Sequence, residues 1–243
     1  MEVMLFAGCV IDQYFPETAF NAVKILERVG CTVRVPGNSG CCGWPAWQNA
    51  QEEISRDIAG RCLAELSPER PVVTLSSDCS AMMHSYIPQL LHNGSAHHSA
   101  VSLHKRVHTF SQWVVLQAGG PLCPPRIGMT RLACHVSCCV QNDDIPQALP
   151  RLMGELGGFS CIEVPGFSVC CGYGGGLFRS HPEVSARLAA DKLRAAREAG
   201  ADCIVTEDMG CLMQMRAVAA GQPELDWQPD RIVHAADLLA EGW

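Results

Sequence analysis

Two short stretches of the sequence place a pair of adjacent cysteines before a glycine. "VPGNSGCCG" ends at Gly43, and "VPGFSVCCG" ends at Gly172. One further cysteine precedes each pair and another follows it, so each half of the chain supplies four thiols. The two sets are Cys9, Cys41, Cys42 and Cys79, then Cys134, Cys170, Cys171 and Cys211. Four soft thiolates are the donor set that an iron–sulfur cluster or a zinc ion prefers.

The other cysteines give less reason to expect chemistry. The chain has 15 cysteines in 243 residues, an odd number with uneven gaps, which argues against a secreted disulfide framework. Disulfides seldom persist in the cytosol, so metal binding or redox chemistry is the default interpretation of the repeated thiols. The role of Cys139 is left undecided. Core packing is predicted for the cysteines without partners in the repeat: Cys31, Cys62, Cys123, Cys161 and Cys203.

The elements around the cysteines repeat as well. In each half an apolar strand leads to the first cysteine, a helix and a second strand lead to the pair, and another helix and strand lead to the last cysteine. The matching cysteines lie 125, 129 and 132 residues apart. Strands that alternate with helices form parallel sheets, whose ligands bind at the carboxyl ends of the strands. Three loops of one half are therefore expected to converge on one pocket.

The predicted fold is α/β, with two pseudo-symmetric Rossmann-like lobes that arise from an internal duplication. The first lobe is expected at residues 1–88 and the second at 126–243. Residues 89–125 are expected to form a connector that is rich in histidine and ends in a helix around Thr109 to Gln117. A pseudo-two-fold relation between the lobes is expected, because duplicated halves commonly pair through equivalent faces.

Composition excludes some partners. The formal charge is −7, and lysine and arginine never cluster beyond a pair, so nucleic acid is not an expected partner. No segment is as long and apolar as a membrane helix, and "MEVMLFAGC" lacks the features of a signal peptide. The sequence predicts a cytoplasmic protein that meets a membrane only through partners.

The repeated motif resembles that of a known family. The spacing of the cysteines around Gly43 and Gly172 is similar to that of the duplicated cysteine-rich CCG domain. That family includes the cysteine-rich subunit of heterodisulfide reductase and iron–sulfur subunits of glycolate- and glycerol-3-phosphate-oxidising enzymes. "CCGWPAW", "CCGYGGGLF" and "GADCIVTEDMGCLMQ" are most similar to its lactate-utilisation branch. The added ferredoxin-like segment of the glycolate and glycerol-phosphate subunits is absent from this sequence.

One departure from the family affects the expected cofactor. Heterodisulfide reductase ends its motif in C-x-x-C, whereas Met82 and Gln214 stand three residues after Cys79 and Cys211. The noncubane clusters of that enzyme are therefore not expected. A 4Fe–4S cluster, one or two per chain, is favoured, with a labile cluster or zinc at one site as alternatives. Cys138 lies one helical turn beyond Cys134 if that segment is a helix, and it is a candidate for an additional ligand of the second site.

The resemblance implies an iron–sulfur electron-transfer subunit of an oxidoreductase complex that oxidises L-lactate to pyruvate, together with other iron–sulfur subunits. A disulfide-reducing subunit and a zinc-binding scaffold are the alternatives. No residue is assigned a catalytic role. His135 is interpreted as a surface residue or a residue that contacts the ligands, with metal binding or a hydrogen bond to a cluster as the less favoured alternatives. Asp78 and Asp208 are interpreted as helix caps. No G-x-G-x-x-G motif opens a helix after a strand, so a bound nicotinamide or flavin is not expected.

Overall fold

The computed structural model describes residues 1–37, 40–118, 130–140, 148–155 and 159–240. The strands are β1 Glu2–Phe6, β2 Thr32–Arg34, β3 Val72–Thr74, β4 Val107–Thr109, β5 Thr130–His135, β6 Phe159–Cys161, β7 Cys203–Thr206 and β8 Ile232–His234. The helices are α1 Cys9–Tyr14, α2 Pro16–Arg28, α3 Trp44–Gln48, α4 Glu52–Glu65, α5 Ser77–Ala81, α6 Ile87–Leu90, α7 His97–His104, α8 Phe110–Gln117, α9 Ala148–Gly154, α10 Leu177–Ser180, α11 Pro182–Glu198, α12 Met209–Gly221 and α13 Ala235–Ala240. A π-helical turn, Met82–Tyr86, joins α5 to α6, and short 3-10 turns occur at Cys138–Val140, Pro223–Leu225 and Pro229–Arg231.

The strands form two parallel sheets of four strands with the same order. The first sheet is ordered β2-β1-β3-β4 and the second β6-β5-β7-β8. The central strands β3 and β7 are buried along their whole length, as expected of parallel strands covered by helices on both faces. The prediction of an α/β fold with two Rossmann-like lobes is confirmed.

The segment predicted as a connector takes part in the first sheet. Strand β4 lies within residues 89–125 and pairs with β3. Helix α8 follows it directly and is the helix expected around Thr109 to Gln117. Its first turn has a capping box, because the Thr109 side chain accepts from the Gln112 backbone while the Gln112 side chain accepts from the Thr109 backbone. The expected boundary between residues 125 and 126 lies outside the described residues.

The two lobes pack through equivalent helices. Helix α2 of the first lobe packs on α13 of the second, and α8 of the first lobe packs on α9 of the second. In their own lobes α2 and α9 both lie between the first two strands, and α8 and α13 both follow the fourth. These contacts are therefore reciprocal, as a pseudo-two-fold relation requires. The apolar side chains at this junction belong to one core cluster that runs through both lobes.

Polar contacts, some of them buried, reinforce the junction between the lobes. The Asp237 carboxylate accepts hydrogen bonds from Thr18 Oγ1 at 2.8 Å and from Asn21 Nδ2 at 3.0 Å. The Glu207 carboxylate accepts from the Ser111 backbone nitrogen at 2.5 Å and from Ser111 Oγ at 2.6 Å. Burial raises the pKa of the Glu207 carboxyl to about 7, although both Ser111 donors favour the charged form. In the described part of the chain, no helix is both long and apolar enough to cross a membrane.

Candidate metal centres

The four cysteines predicted for the first half lie in one pocket. Cys9 begins α1, Cys41 and Cys42 lie in the loop before α3, and Cys79 is in α5, so all four follow the carboxyl ends of strands. Cys42 Sγ lies 3.4 Å from Cys79 Sγ, and the thiol of Cys9 contacts that of Cys41. The same four residues line one cavity of about 170 Å³. The predicted grouping of these thiols is what the structure shows, while their role as ligands stays a prediction.

Backbone geometry brings the chain close to these thiols. Gly43 has a φ of +99°, and its backbone nitrogen donates to Cys41 Sγ at 3.3 Å. A Cβ on Gly43 would lie 3.1 Å from the carbonyl oxygen of Ser55, whose hydroxyl donates to the Gly43 carbonyl. Hydrogen bonds from the Cys42 and Cys9 thiols and from Gly43 lower the pKa of Cys41 to about 3. One thiol of the pocket is thus held as a thiolate, the form that binds metal.

The second pocket repeats this arrangement around the second cysteine pair. Cys171 Sγ lies 2.7 Å from Cys211 Sγ, and the backbone nitrogen of Gly172 donates to Cys170 Sγ at 3.3 Å. Cys170 also contacts the thiol of Cys138. Hydrogen bonds from the Cys138 and Cys171 thiols and from Gly172 lower the pKa of Cys170 to about 2. Cys170 therefore has the place in this pocket that Cys41 has in the first.

Cys134 differs from the prediction in its placement. It lies inside β5, and its thiol is 3.3 Å from the thiol of Cys161 on the neighbouring strand β6. Side chains alternate across a strand, so Cys134 points to the opposite sheet face from His135, which faces Cys171 and Cys211. The prediction of core packing for Cys161 is only partly correct, because its thiol is half-buried and contacts the thiol of Cys134. The same prediction for Cys123 falls outside the described residues.

Strand register explains why Cys138 replaces Cys134. Phe6 of β1 pairs with Thr74, and His135 of β5 pairs with Thr206 at the same place in the second sheet. His135 is therefore the equivalent of Phe6, and the residue three positions later is Cys138 in one half and Cys9 in the other. The sequence contains a signal for this alignment, because 31 residues separate Cys9 from Cys41 and also Cys138 from Cys170.

The surroundings of the two pockets differ in polarity. Ser55 and Ser185 are equivalent, since each donates to the carbonyl of the glycine that follows the cysteine pair. Seven residues after this serine, the first half has Cys62 and the second half has Lys192. Cys62 is buried, and burial raises the pKa of its thiol to about 12. Lys192 is also buried, and burial lowers the pKa of its ammonium group to about 8, although the thiols of the second pocket oppose this shift. At these two matched positions, the second pocket therefore has a buried cation beside it, whereas the first pocket has a neutral thiol.

His135 adds a second polar group to that pocket. Its side chain is 1% exposed, and burial lowers the pKa of the imidazole to about 3, which makes the ring neutral. One ring nitrogen of His135 and the thiols of Cys171 and Cys211 lie within 4.8 Å of one another. The interpretation of His135 as a surface residue is therefore wrong, since the ring lies inside the second pocket.

A buried acidic group lies between the two pockets. The carboxylates of Asp78 and Asp208 and the thiol of Cys139 lie within 4.8 Å of one another. Asp208 is the N-cap of α12 and accepts from the Cys211 backbone at 2.8 Å, so its interpretation as a helix cap is confirmed. Asp78 lies inside the first turn of α5, which Ser76 precedes as N-cap, so the same interpretation of Asp78 is wrong. Burial and the Asp208 carboxylate raise the pKa of Asp78.

The cavity beside the first pocket lies between the lobes. It is lined by the first four cysteines and by side chains from both halves, among them Trp44, Tyr173 and Arg179. Trp44 packs on Tyr86 with ring centroids 5.6 Å apart, and Tyr173 stacks on Phe178 at 4.9 Å. The first pocket thus opens toward residues of the second lobe.

A sequence model of the cysteine-rich domain CCG matches residues 3–84 and, a second time, residues 132–216. The chain belongs to the CCG cysteine-rich domain family. Each of the two CCG domains contains one of the thiol pockets. The second match also includes both Cys134 and Cys138, so the choice between them depends on the structure.

The CCG chain is similar to curated proteins over nearly its whole length. It is 27% identical to Lactate utilization protein A from Halalkalibacterium halodurans, with 98% of this chain and 96% of that protein covered. It is 25% identical to Lactate utilization protein A from Bacillus thuringiensis, with 98% of each chain covered. A solved LacI family transcriptional regulator from Arthrobacter sp. FB24 in complex with lactose shares 16% identity, with a TM-score of 0.26, over 96% of this chain and 75% of that chain. That structural likeness is too weak to carry an argument.

The donor set of both CCG domains suits a metal or an iron–sulfur cluster. Each pocket brings together four thiols from three loops, and all cysteines in the described part of the chain are free. In each pocket one cysteine is stabilised as a thiolate by a backbone nitrogen, which is the kind of contact that tunes cluster sulfur ligands.

Proposed function

We propose that this CCG protein is an iron–sulfur subunit of a complex that oxidises L-lactate to pyruvate. The observation that carries the proposal is the pair of four-thiol pockets, each built on the same C-x31-CC spacing and a later cysteine. The relatives named Lactate utilization protein A supply the substrate. A 4Fe–4S cluster in each pocket would supply one-electron transfer.

The proposed ligands are the cysteines that lie together in each pocket, and they differ from the sequence-based set at one position. In the first pocket they are Cys9, Cys41, Cys42 and Cys79. In the second they are Cys138, Cys170, Cys171 and Cys211, and Cys134 is left out because its thiol pairs with Cys161. The chain positions these thiols and excludes water from Cys42, Cys79, Cys171 and Cys211, which are buried.

Partners are part of the proposal, because removing a hydride from lactate needs a component beyond the thiol pockets. Other iron–sulfur subunits of a lactate-utilisation complex are the proposed partners, and the cytoplasm is the proposed compartment because its reducing conditions preserve free thiols. The structure gives no support to disulfide reduction of the heterodisulfide type, since Met82 and Gln214 stand where that family has its last cysteines.

Paired serine variants test the ligand assignment. In protein purified without oxygen, we expect Cys138→Ser to lose about half of the iron and acid-labile sulfide, because the second pocket loses a ligand. Cys134→Ser is the matched control, four residues away and in the same strand-to-loop segment, and it should retain the full content. Loss of iron in Cys134→Ser but not in Cys138→Ser would contradict the assignment.

A second assay tests the substrate. Tagged protein purified from its own organism without oxygen should bring its partner subunits with it and should reduce a dye when L-lactate is added. The double variant Cys41→Ser/Cys42→Ser should bring the same partners but reduce less dye. Lactate-independent activity, or full activity in the double variant, would contradict a role in lactate oxidation.

A zinc scaffold is the second candidate, and one observation favours it at the second pocket. His135 beside Cys171 and Cys211 provides the mixed imidazole and thiolate donors that structural zinc sites use. Zinc in place of iron in oxygen-free protein, with no visible charge-transfer absorption, would support this candidate over the iron–sulfur subunit.

A further inference from the structure

The second pocket contains a buried imidazole where the first has an apolar ring. Phe6 occupies the equivalent place in the first half, where its ring belongs to the same buried apolar cluster as Cys42, Cys79 and Met82. Both ring nitrogens of His135 are buried, and neither has a hydrogen-bond partner among the described residues. A buried polar group without a partner destabilises a protein, so a histidine in place of a phenylalanine needs an explanation.

The position of the ring provides that explanation. One ring nitrogen lies within 4.8 Å of the thiols of Cys171 and Cys211, whose sulfur atoms are 2.7 Å apart. The Phe167 carbonyl lies near the ring but outside hydrogen-bond geometry, and the Phe167 ring packs edge-on against the imidazole at 5.7 Å. Histidine ligands of metals commonly direct the second ring N–H toward a backbone carbonyl, which orients the first nitrogen toward the metal.

We propose that His135 is a ligand of the second centre, where it takes the place of one of the four thiolates assigned above, so that this centre is bound by imidazole and three thiolates while the first is bound by thiolates alone. This inference rests on the proposed function, because it concerns the group held by Cys171 and Cys211. The ligand identity would make the two centres of one chain chemically unlike, although their loops are nearly identical in cysteine spacing.

The imidazole ligand should make the reduction potential of the second centre higher than that of the first. Replacing a thiolate ligand by a neutral imidazole removes negative charge from a cluster and raises its reduction potential. The Lys192 ammonium group adds to the effect, because a cation near the thiols favours the reduced, more negative state. Cys62 provides no such charge in the first pocket. An electron shared between the two centres therefore resides mainly on the second.

Nitrogen hyperfine coupling tests the ligand directly. Oxygen-free protein labelled with 15N-histidine is first assayed for iron and sulfide, then reduced, and the nitrogen coupling of its clusters is measured by pulsed EPR. We expect coupling of the size found for a directly bound nitrogen, lost in His135→Phe and retained in the control His98→Phe, since His98 is an exposed residue of α7. His135→Cys keeps a ligand at this place, so it should retain iron while losing the nitrogen coupling.

Reduction potentials test the consequence. His135→Phe should lower the higher of the two midpoint potentials, and Phe6→His should raise the lower one. Protein with full iron content but only the weak coupling of a hydrogen-bonded nitrogen, or with coupling unchanged by His135→Phe, would overturn the ligand assignment alone. Protein without iron in either pocket would overturn the iron–sulfur proposal and this inference with it.

Discussion

The substitution Gly172→Ala tests how closely the second cysteine loop is packed against the helix beneath it. Gly172 has a φ of +91°, a conformation that costs an L-residue about 1–2 kcal/mol. A Cβ at this position would lie 2.5 Å from the carbonyl oxygen of Ser185 and 3.0 Å from its Cα. These are backbone atoms of α11, which cannot rotate away as a side chain can. Overpacking of this kind costs about 1–3 kcal/mol, so the expected loss of stability is about 4 kcal/mol.

Two other glycines calibrate this value. Gly166 also has a positive φ, +72°, but no described atom lies within 4 Å of its Cβ position, so Gly166→Ala should cost only the conformational strain of about 1 kcal/mol. Gly43→Ala should cost about 2 kcal/mol, because its Cβ would lie 3.1 Å from the Ser55 carbonyl oxygen. The expected order of destabilisation is therefore Gly172→Ala, then Gly43→Ala, then Gly166→Ala.

Thermal and urea denaturation of reduced, metal-free protein measures the three variants on one scale. In a chain of this length, each kcal/mol shifts the midpoint by about 2–4 °C, so Gly172→Ala should melt about 8–16 °C below the unsubstituted protein. Its second pocket should also bind less iron than its first. A Gly172→Ala variant no less stable than Gly166→Ala would refute the argument that the loop and α11 are in tight contact.

Four further predictions concern the junction, one buried tryptophan and the metal. Folding raises the pKa of Glu207, so the contribution of this carboxyl to stability is complete below about pH 4.5 and is lost as pH rises to about 7. Over that range the unfolding free energy, measured relative to Glu207→Gln in urea titrations at several pH values, should fall by about 3 kcal/mol. Asp237→Ala removes two hydrogen bonds between the lobes and should lower the unfolding free energy by about 2 kcal/mol, whereas the control Asp57→Ala, at an exposed ion pair, should change it by less than about 1 kcal/mol in the same titrations. Trp227→Phe removes the 2.7 Å hydrogen bond from the indole nitrogen to the Leu193 carbonyl and should cost about 1–3 kcal/mol, measured by urea denaturation. Chelation of the metal should leave the far-UV circular dichroism intact, because the apolar cores of both sheets consist mostly of side chains other than the pocket cysteines; global unfolding would contradict this.

The sequence predicts the strands and helices that have a long or regular pattern. The sequence predicts a helix that begins at Pro182, where α11 begins, and strands in the apolar runs "PVVTL" and "DCIVT", which contain β3 and β7. Strands β4 and β8 have three residues each, too few to show a periodicity, and they are strands only because they pair with β3 and β7. The run "CIEV" also predicts a strand, but β6 ends at Cys161, the first residue of that run.

The repeat predicts the grouping of the first-pocket cysteines and of both cysteine pairs, but it does not predict that Cys138 rather than Cys134 lies in the second pocket. Cys134 is the first cysteine after an apolar run, as Cys9 is, and nothing local separates a cysteine inside the strand from one beyond its end. The equal spacing from Cys138 to Cys170 and from Cys9 to Cys41 contains the missing information. The burial of His135 could not be predicted, because it depends on which sheet face β5 turns toward the pocket.

The reciprocal packing of α2 on α13 and of α8 on α9 has an evolutionary consequence. Two identical copies of a half-length chain would meet through these same faces as a symmetric homodimer, and a gene duplication followed by fusion would give the present chain. In such a homodimer any substitution near one pocket appears in both. Fusion removes that constraint, so a phenylalanine and a histidine can occupy the same structural position, and a single protein can contain two pockets with different chemistry.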